Sequence, residues 1–133
     1  MKKLLIILTF LFPLTSLAVQ PLTMKFVPAA EIDQVCGLHV SVCACYFGGT
    51  LKTAYLSDKL SCQVNSRGVV AHEWIHYLVD VYHVNMSDKD EEELATRVGQ
   101  YSSGEKKDIS FWKNSTAAVR NNLLKLLIAA GNI

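Results

Sequence analysis

Residues 69–78, Val-Val-Ala-His-Glu-Trp-Ile-His-Tyr-Leu, hold two histidines four apart in an apolar stretch, with a glutamate directly after the first. A helix brings His72 and His76 onto one face about 6 Å apart along the axis. From there both imidazoles can reach a single Zn²⁺ at about 2.0–2.1 Å each. Glu73 can then serve as general base toward a zinc-activated water. Shuffling this composition produces about 0.004 such His-Glu-x-x-His matches per chain, so chance is a poor source for it. The bland alternative is a helix with two structural histidines, since apolar helices do hold satisfied ones.

The rest of the chain bounds the size and compartment of such a site. Met1-Lys2-Lys3, the apolar run Leu4 to Leu14 and the small residues around Ser16-Leu17-Ala18 read as a secretory signal, residues 1–18, that is cleaved. Leu4 to Ala18 falls short of the roughly 20 residues a bilayer span needs, and Pro13 interrupts it, so no stable membrane anchor is expected after cleavage. Residues 19–133 then form a single domain. Two of the 13 Lys and Arg residues lie in the leader, and the remaining 11 against 12 acidic residues give a net charge of −1. Without a basic cluster, no nucleic acid partner is expected.

A secreted or periplasmic location makes disulfide bonding the default fate of Cys36, Cys43, Cys45 and Cys62. Four cysteines permit three pairings. Cys43 and Cys45 sit two apart on one strand face, where a direct bridge is badly strained, so each is expected to pair with Cys36 or Cys62. The rival is a four-cysteine structural zinc, but Cys-x-Cys lacks the usual ligand spacing. A cysteine nucleophile with His39 has no activating base, and His39 reads as a surface residue.

The pattern predicts an α+β fold. Pro28 opens a short helix through Val35 that Gly37 closes. Leu38 to Phe47 alternates with period two, Gly48-Gly49 suits a tight turn, and Thr50 to Leu56 forms the second strand of a hairpin. Asn65-Ser66 caps a helix to about Tyr82 that carries the histidines. Ser87 and Asp90 resemble a capping box for a helix from Asp88 to about Tyr101. A last helix, Thr116 to Ala130, is apolar on more than one stripe and is expected to be buried, with a dimer contact as the alternative. Trp74 and Trp112 are expected in the core.

A catalytic zinc takes three protein ligands and keeps one position open. His83 is one residue out of register for a metzincin, whose Gly and His positions are filled here by Val79 and Tyr82. The acidic run Asp88 to Glu93 supplies the other candidates. Periodicity places Glu91 nearer than Glu92 to the middle of the Leu94, Ala95, Val98 stripe. For Glu93, Arg97 four residues on offers a salt bridge.

His72-Glu73-x-x-His76 followed by Glu92-x-x-Ala95 resembles the gluzincin arrangement of thermolysin-like zinc metallopeptidases. Within that group the chain is most similar to the single-domain minigluzincins, over about Leu38 to Tyr101. Thr96 stands where the family often has Asp or Asn, while Val98 and Gly99 match its apolar and small positions. The resemblance implies a compact zincin-like domain with a small antiparallel β-sheet, an active-site helix, a glutamate helix and a C-terminal packing helix. It implies one catalytic Zn²⁺ on His72, His76 and Glu92, with Glu73 as the catalytic base of a secreted metalloendopeptidase. It further implies a peptide or protein substrate bound as an extended strand, with Thr50 to Leu56 as the receiving edge. Tyr82, His83 and Tyr101 are candidates to stabilise the oxyanion. The alternative function is a catalytically silent zincin-like module that binds zinc or a protein partner.

Overall fold

The computed structural model describes residues 20–37, 42–105 and 113–131; the expected signal at 1–18, His39 and Trp112 lie outside them. The described chain is α+β, with elements β1 (Thr23–Val27), α1 (Ile32–Cys36), β2 (Ala44–Phe47), β3 (Thr53–Ser57), α2 (Leu60–Gln63), α3 (Ser66–Val81), α4 (Asp88–Ser102) and α5 (Ala117–Ala129). Gly37 closes α1 in the left-handed conformation, as expected.

The expected hairpin is present, but its strands join a third. The order is β1-β3-β2, with β2 antiparallel and β1 parallel to β3. β1 escaped the periodicity reading because it buries neither face: Thr23 to Lys25 and Phe26 are exposed, Phe26 at 70%. The connection is also longer than a two-residue turn. Phe47 pairs with Thr53, so residues 48–52 form the loop, with Gly49 and Lys52 both at positive φ. β3 is therefore central, not an edge, and β1 and β2 are the two edge strands among the described residues.

The two disulfides are Cys36–Cys45 and Cys43–Cys62, within the pairings the strand alternation permits. Both hold β2 or its lead-in residue from the sheet face that turns away from α3. One ties it to α1, the other to α2.

α3 begins where expected, but Asn65 makes no side-chain cap bond. α2 runs almost directly into α3, and Asn65 at φ −113° and ψ 23° lacks the extended geometry a capping side chain needs. Ser87 does cap α4, accepting from the Asp90 amide, and Thr116 caps α5 through the Val119 amide. α3 ends at a left-handed His83, with the His83 amide bonded to the Asp80 carbonyl and the Val84 amide to the Val79 carbonyl. This double bond pattern is a Schellman terminator.

The core lies among the three long helices: Ile75 and Val79 of α3, Leu94 and Ala95 of α4, and Val119 and Leu126 of α5. Two core expectations fail. α5 buries Val119, Asn122 and Leu126 but leaves Leu124, Leu127 and Ile128 exposed, so it packs by one stripe only. Trp74 is 44% exposed, its ring tilted against Tyr77 at 5.4 Å. No helix of the described residues is long and apolar enough to cross a membrane.

Candidate metal centre

His72 and His76 stand one turn apart on α3, and α4 brings its first turns across them. The helices meet through two glycines. A Cβ on Gly68 would lie 2.8 Å from the Gly99 carbonyl oxygen, and one on Gly99 would lie 2.8 Å from that of Gly68 and 3.4 Å from His72 Cβ. Gly68 is one turn before His72, and Gly99 is two turns after Glu92. The close crossing thus carries the glutamate helix to the histidine face.

There the side chains of His72, His76 and Glu92 converge. The His72 and His76 Nε2 atoms are 3.1 Å apart, and Glu92 reaches them at 3.1 Å through Oε1 and 3.3 Å through Oε2 respectively. One ligand atom from each falls within 4.8 Å of the others, a group able to hold a metal ion. Two imidazole nitrogens this close need a shared proton or a shared cation, since two lone pairs repel.

Glu91 takes a different place. Its Oε1 lies 2.7 Å from His76 Nδ1. With Glu91 ionised, Nδ1–H donates to it, which leaves the Nε2 lone pair pointing at the cluster. The Glu91 side chain is 23% exposed and that of Glu92 61%. Periodicity identified the better-buried carboxylate, and that one orients a histidine. Glu93 pairs with Arg97 at 3.9 Å, as expected.

Burial lowers the His72 pKa; the His76 charge adds to this, while the Glu92 charge and hydrogen bond oppose it without reversing it. The neutral imidazole that results is the form that ligates metals. Glu73 is 5% exposed, and no hydrogen bond joins its carboxylate to another described residue. Burial pushes its carboxyl up to about 7, with Glu92 adding to the effect and His76 opposing it. A group at that value is matched to taking and returning a proton at neutral pH.

Two cavities flank the cluster and share Val42, Ala44, His72, Glu73 and Glu92. One, about 330 Å³, extends past Asn65, Thr96 and Gln100; the other, about 620 Å³, past Tyr46, Gly48 and Asp80. Together they form a cleft beneath β2. Tyr82 and His83 line neither, and Tyr101 lines a separate 730 Å³ groove with Val70 and Trp74 on the other side of α3. The phenol in the cleft is Tyr46, which the sequence reading passed over.

Tyr46 Oη donates to Asp80 Oδ2 at 2.6 Å, and Lys52 Nζ donates to the same oxygen at 2.6 Å. Burial pushes the Tyr46 phenol well up, and the bond to Asp80 and its charge add to this, so the proton stays. Burial also works against the Asp80 charge, but the bonds from Lys52 and Tyr46 outweigh it and hold the carboxyl below its ordinary value. Asp80 follows His76 by one turn, so an i, i+4, i+8 inspection of the ligand face would have found it. No protein-family model, curated protein or solved structure matches this chain.

Proposed function

We propose that the protein is a secreted or periplasmic zinc metallopeptidase of gluzincin type. The observation that carries this reading is the convergence of His72, His76 and Glu92 beside a buried Glu73 with no hydrogen-bond partner among the described residues. Donors about 2.0–2.1 Å from one tetrahedral ion stand about 3.3 Å from one another. The two histidine nitrogens, 3.1 Å apart, are close to that spacing, and Glu92 approaches each through a different oxygen, so that one ligand atom from each residue falls within 4.8 Å of the others.

Held by His72, His76 and Glu92, zinc would supply the Lewis acidity that acidifies water and polarises the scissile carbonyl. The chain's own groups do the rest. Glu73 accepts the proton of the attacking water as its oxygen bonds to the carbonyl carbon. As the carbon–nitrogen bond breaks, Glu73 returns that proton to the leaving amine. Glu91 keeps the His76 ring in one orientation and one tautomer throughout.

The unpaired side of β2 runs along the cleft, which supports an extended peptide binding there as an added strand. That role moves from Thr50 to Leu56, whose strand is central. The two disulfides suit an oxidising compartment and support export.

Zinc content and cleavage of an unfolded protein substrate test this reading. Wild type is expected to hold one zinc and to lose cleavage on chelation, with recovery on zinc re-addition. Activity that survives complete chelation would contradict metal catalysis. Stoichiometric zinc without cleavage by wild type would leave the silent binding module instead.

A further inference from the structure

Asp80 takes no part in the proton transfers or ligand set proposed above, yet it receives two hydrogen bonds of 2.6 Å in the cleft. It continues the His72–His76 face by one turn. Its Oδ2 receives the phenol of Tyr46 from β2 and the ammonium of Lys52 from the end of the hairpin loop. The loop also rests on it: a Cβ at Gly48 would lie 2.8 Å from the same oxygen. Lys52 adopts φ 43°, a left-handed conformation costly for a residue with a side chain. Its reach to Asp80 accounts for that cost being borne here. Beside the phenol, the Tyr46 ring meets the Tyr77 ring of α3 edge-on at 6.3 Å.

We propose that Asp80 is a positioning residue that sets the gap between the receiving strand β2 and the metal-holding face of α3. The proposal rests on the peptidase reading for its functional consequence. The disulfides hold β2 from its other face, and only the Tyr46–Asp80–Lys52 cluster joins the hairpin loop to α3 by charged hydrogen bonds among the described residues. A half-buried carboxylate held between a cation and a phenol is worth more than an exposed pair, because both bonds are charge-assisted and partly shielded from water. A peptide that enters as an added strand must match the depth of β2 over the cleft. A substrate too short to reach along β2 does not depend on it.

The test compares zinc-loaded wild type with Asp80→Asn, Lys52→Met and Lys52→Arg on an extended hexapeptide and on a blocked dipeptide. Asp80→Asn and Lys52→Met are expected to raise KM for the long substrate about tenfold, equivalent to roughly 1.4 kcal/mol, with kcat, dipeptide cleavage and zinc affinity unchanged. Lys52→Arg is expected to restore the wild-type KM. Equal loss on both substrates would mean general structural damage and would overturn the proposal, as would unchanged KM.

Amide exchange of the same variants separates the latch from the peptidase reading. The Leu51 amide, bonded to the Gly48 carbonyl at 3.2 Å, is expected to exchange faster in Asp80→Asn and Lys52→Met. Unchanged exchange overturns the latch. Zinc-loaded wild type that cleaves neither substrate overturns the peptidase reading alone.

Discussion

Glu91 and Glu92 are chemically identical neighbours, and the 100° turn between them gives them different work. Glu91, on the better-buried side of α4, bonds His76 Nδ1; Glu92 swings outward and meets both Nε2 atoms. Their substitutions therefore separate. Glu91→Gln is expected to weaken zinc binding about 10- to 100-fold, the usual effect of losing a partner behind a ligand histidine. Glu92→Gln is expected to remove stoichiometric zinc under the same chelator competition. Full zinc retention by Glu92→Gln would exclude it as a ligand. Glu73 adds a pH signature in the metal-free protein. Its folded pKa of about 7 lies above its ordinary 4.5, so the folded form binds more protons between those values. Its contribution is complete below pH 4.5 and is lost as pH rises through 7, a change of roughly 3 kcal/mol. Glu73→Gln, neutral throughout, is expected to raise the metal-free melting temperature at pH 8 and to leave it nearly unchanged at pH 4.5. An equal shift at both values would contradict the buried carboxyl.

At the scale of elements, the centre depends on how closely α3 and α4 cross. Gly68 and Gly99 allow a backbone-to-backbone approach that an alanine would block, because the opposing atoms are carbonyl oxygens. Gly99→Ala is expected to destabilise the fold by about 1–3 kcal/mol and to reduce zinc affinity, since relieving the clash with the Gly68 carbonyl requires the two helices to part beside His72. Denaturant titration and chelator competition read the two effects; a variant that loses stability but binds zinc normally would uncouple the crossing from the centre. The starts of α4 and α5 were legible because Ser87 and Thr116 cap them locally, whereas α3 was legible from its apolar pattern, since Asn65 makes no cap bond. β1 was not, since an exposed strand paired parallel to β3 shows no alternation. The 48–52 loop was hidden too: Gly48 is required by Asp80, 32 positions away in sequence, rather than by a two-residue turn.

Across the molecule, burial is divided unevenly. The packed cluster belongs to α3, α4 and α5, whereas β2 is held largely by its pairing to β3, the two disulfides and Asp80. Reduction is therefore expected to remove about 2–4 kcal/mol per bridge and to abolish cleavage while much of the helical circular dichroism remains. Loss of both signals together would place the sheet and helices in one cooperative unit. Sequence could identify the histidine pair and limit the disulfide pairings, because helix and strand periodicity act within a few residues. It could not identify which strand would border the cleft, since β3 became central only when β1 joined from the far end. The same distance hid the Tyr46–Lys52–Asp80 cluster and the exposed stripe of α5. The most direct test of the whole account is zinc content measured alongside peptide cleavage in Glu73→Gln. The account predicts one bound zinc, as in wild type, with cleavage lost; a zinc-loaded Glu73→Gln that cleaves at the wild-type rate would contradict it.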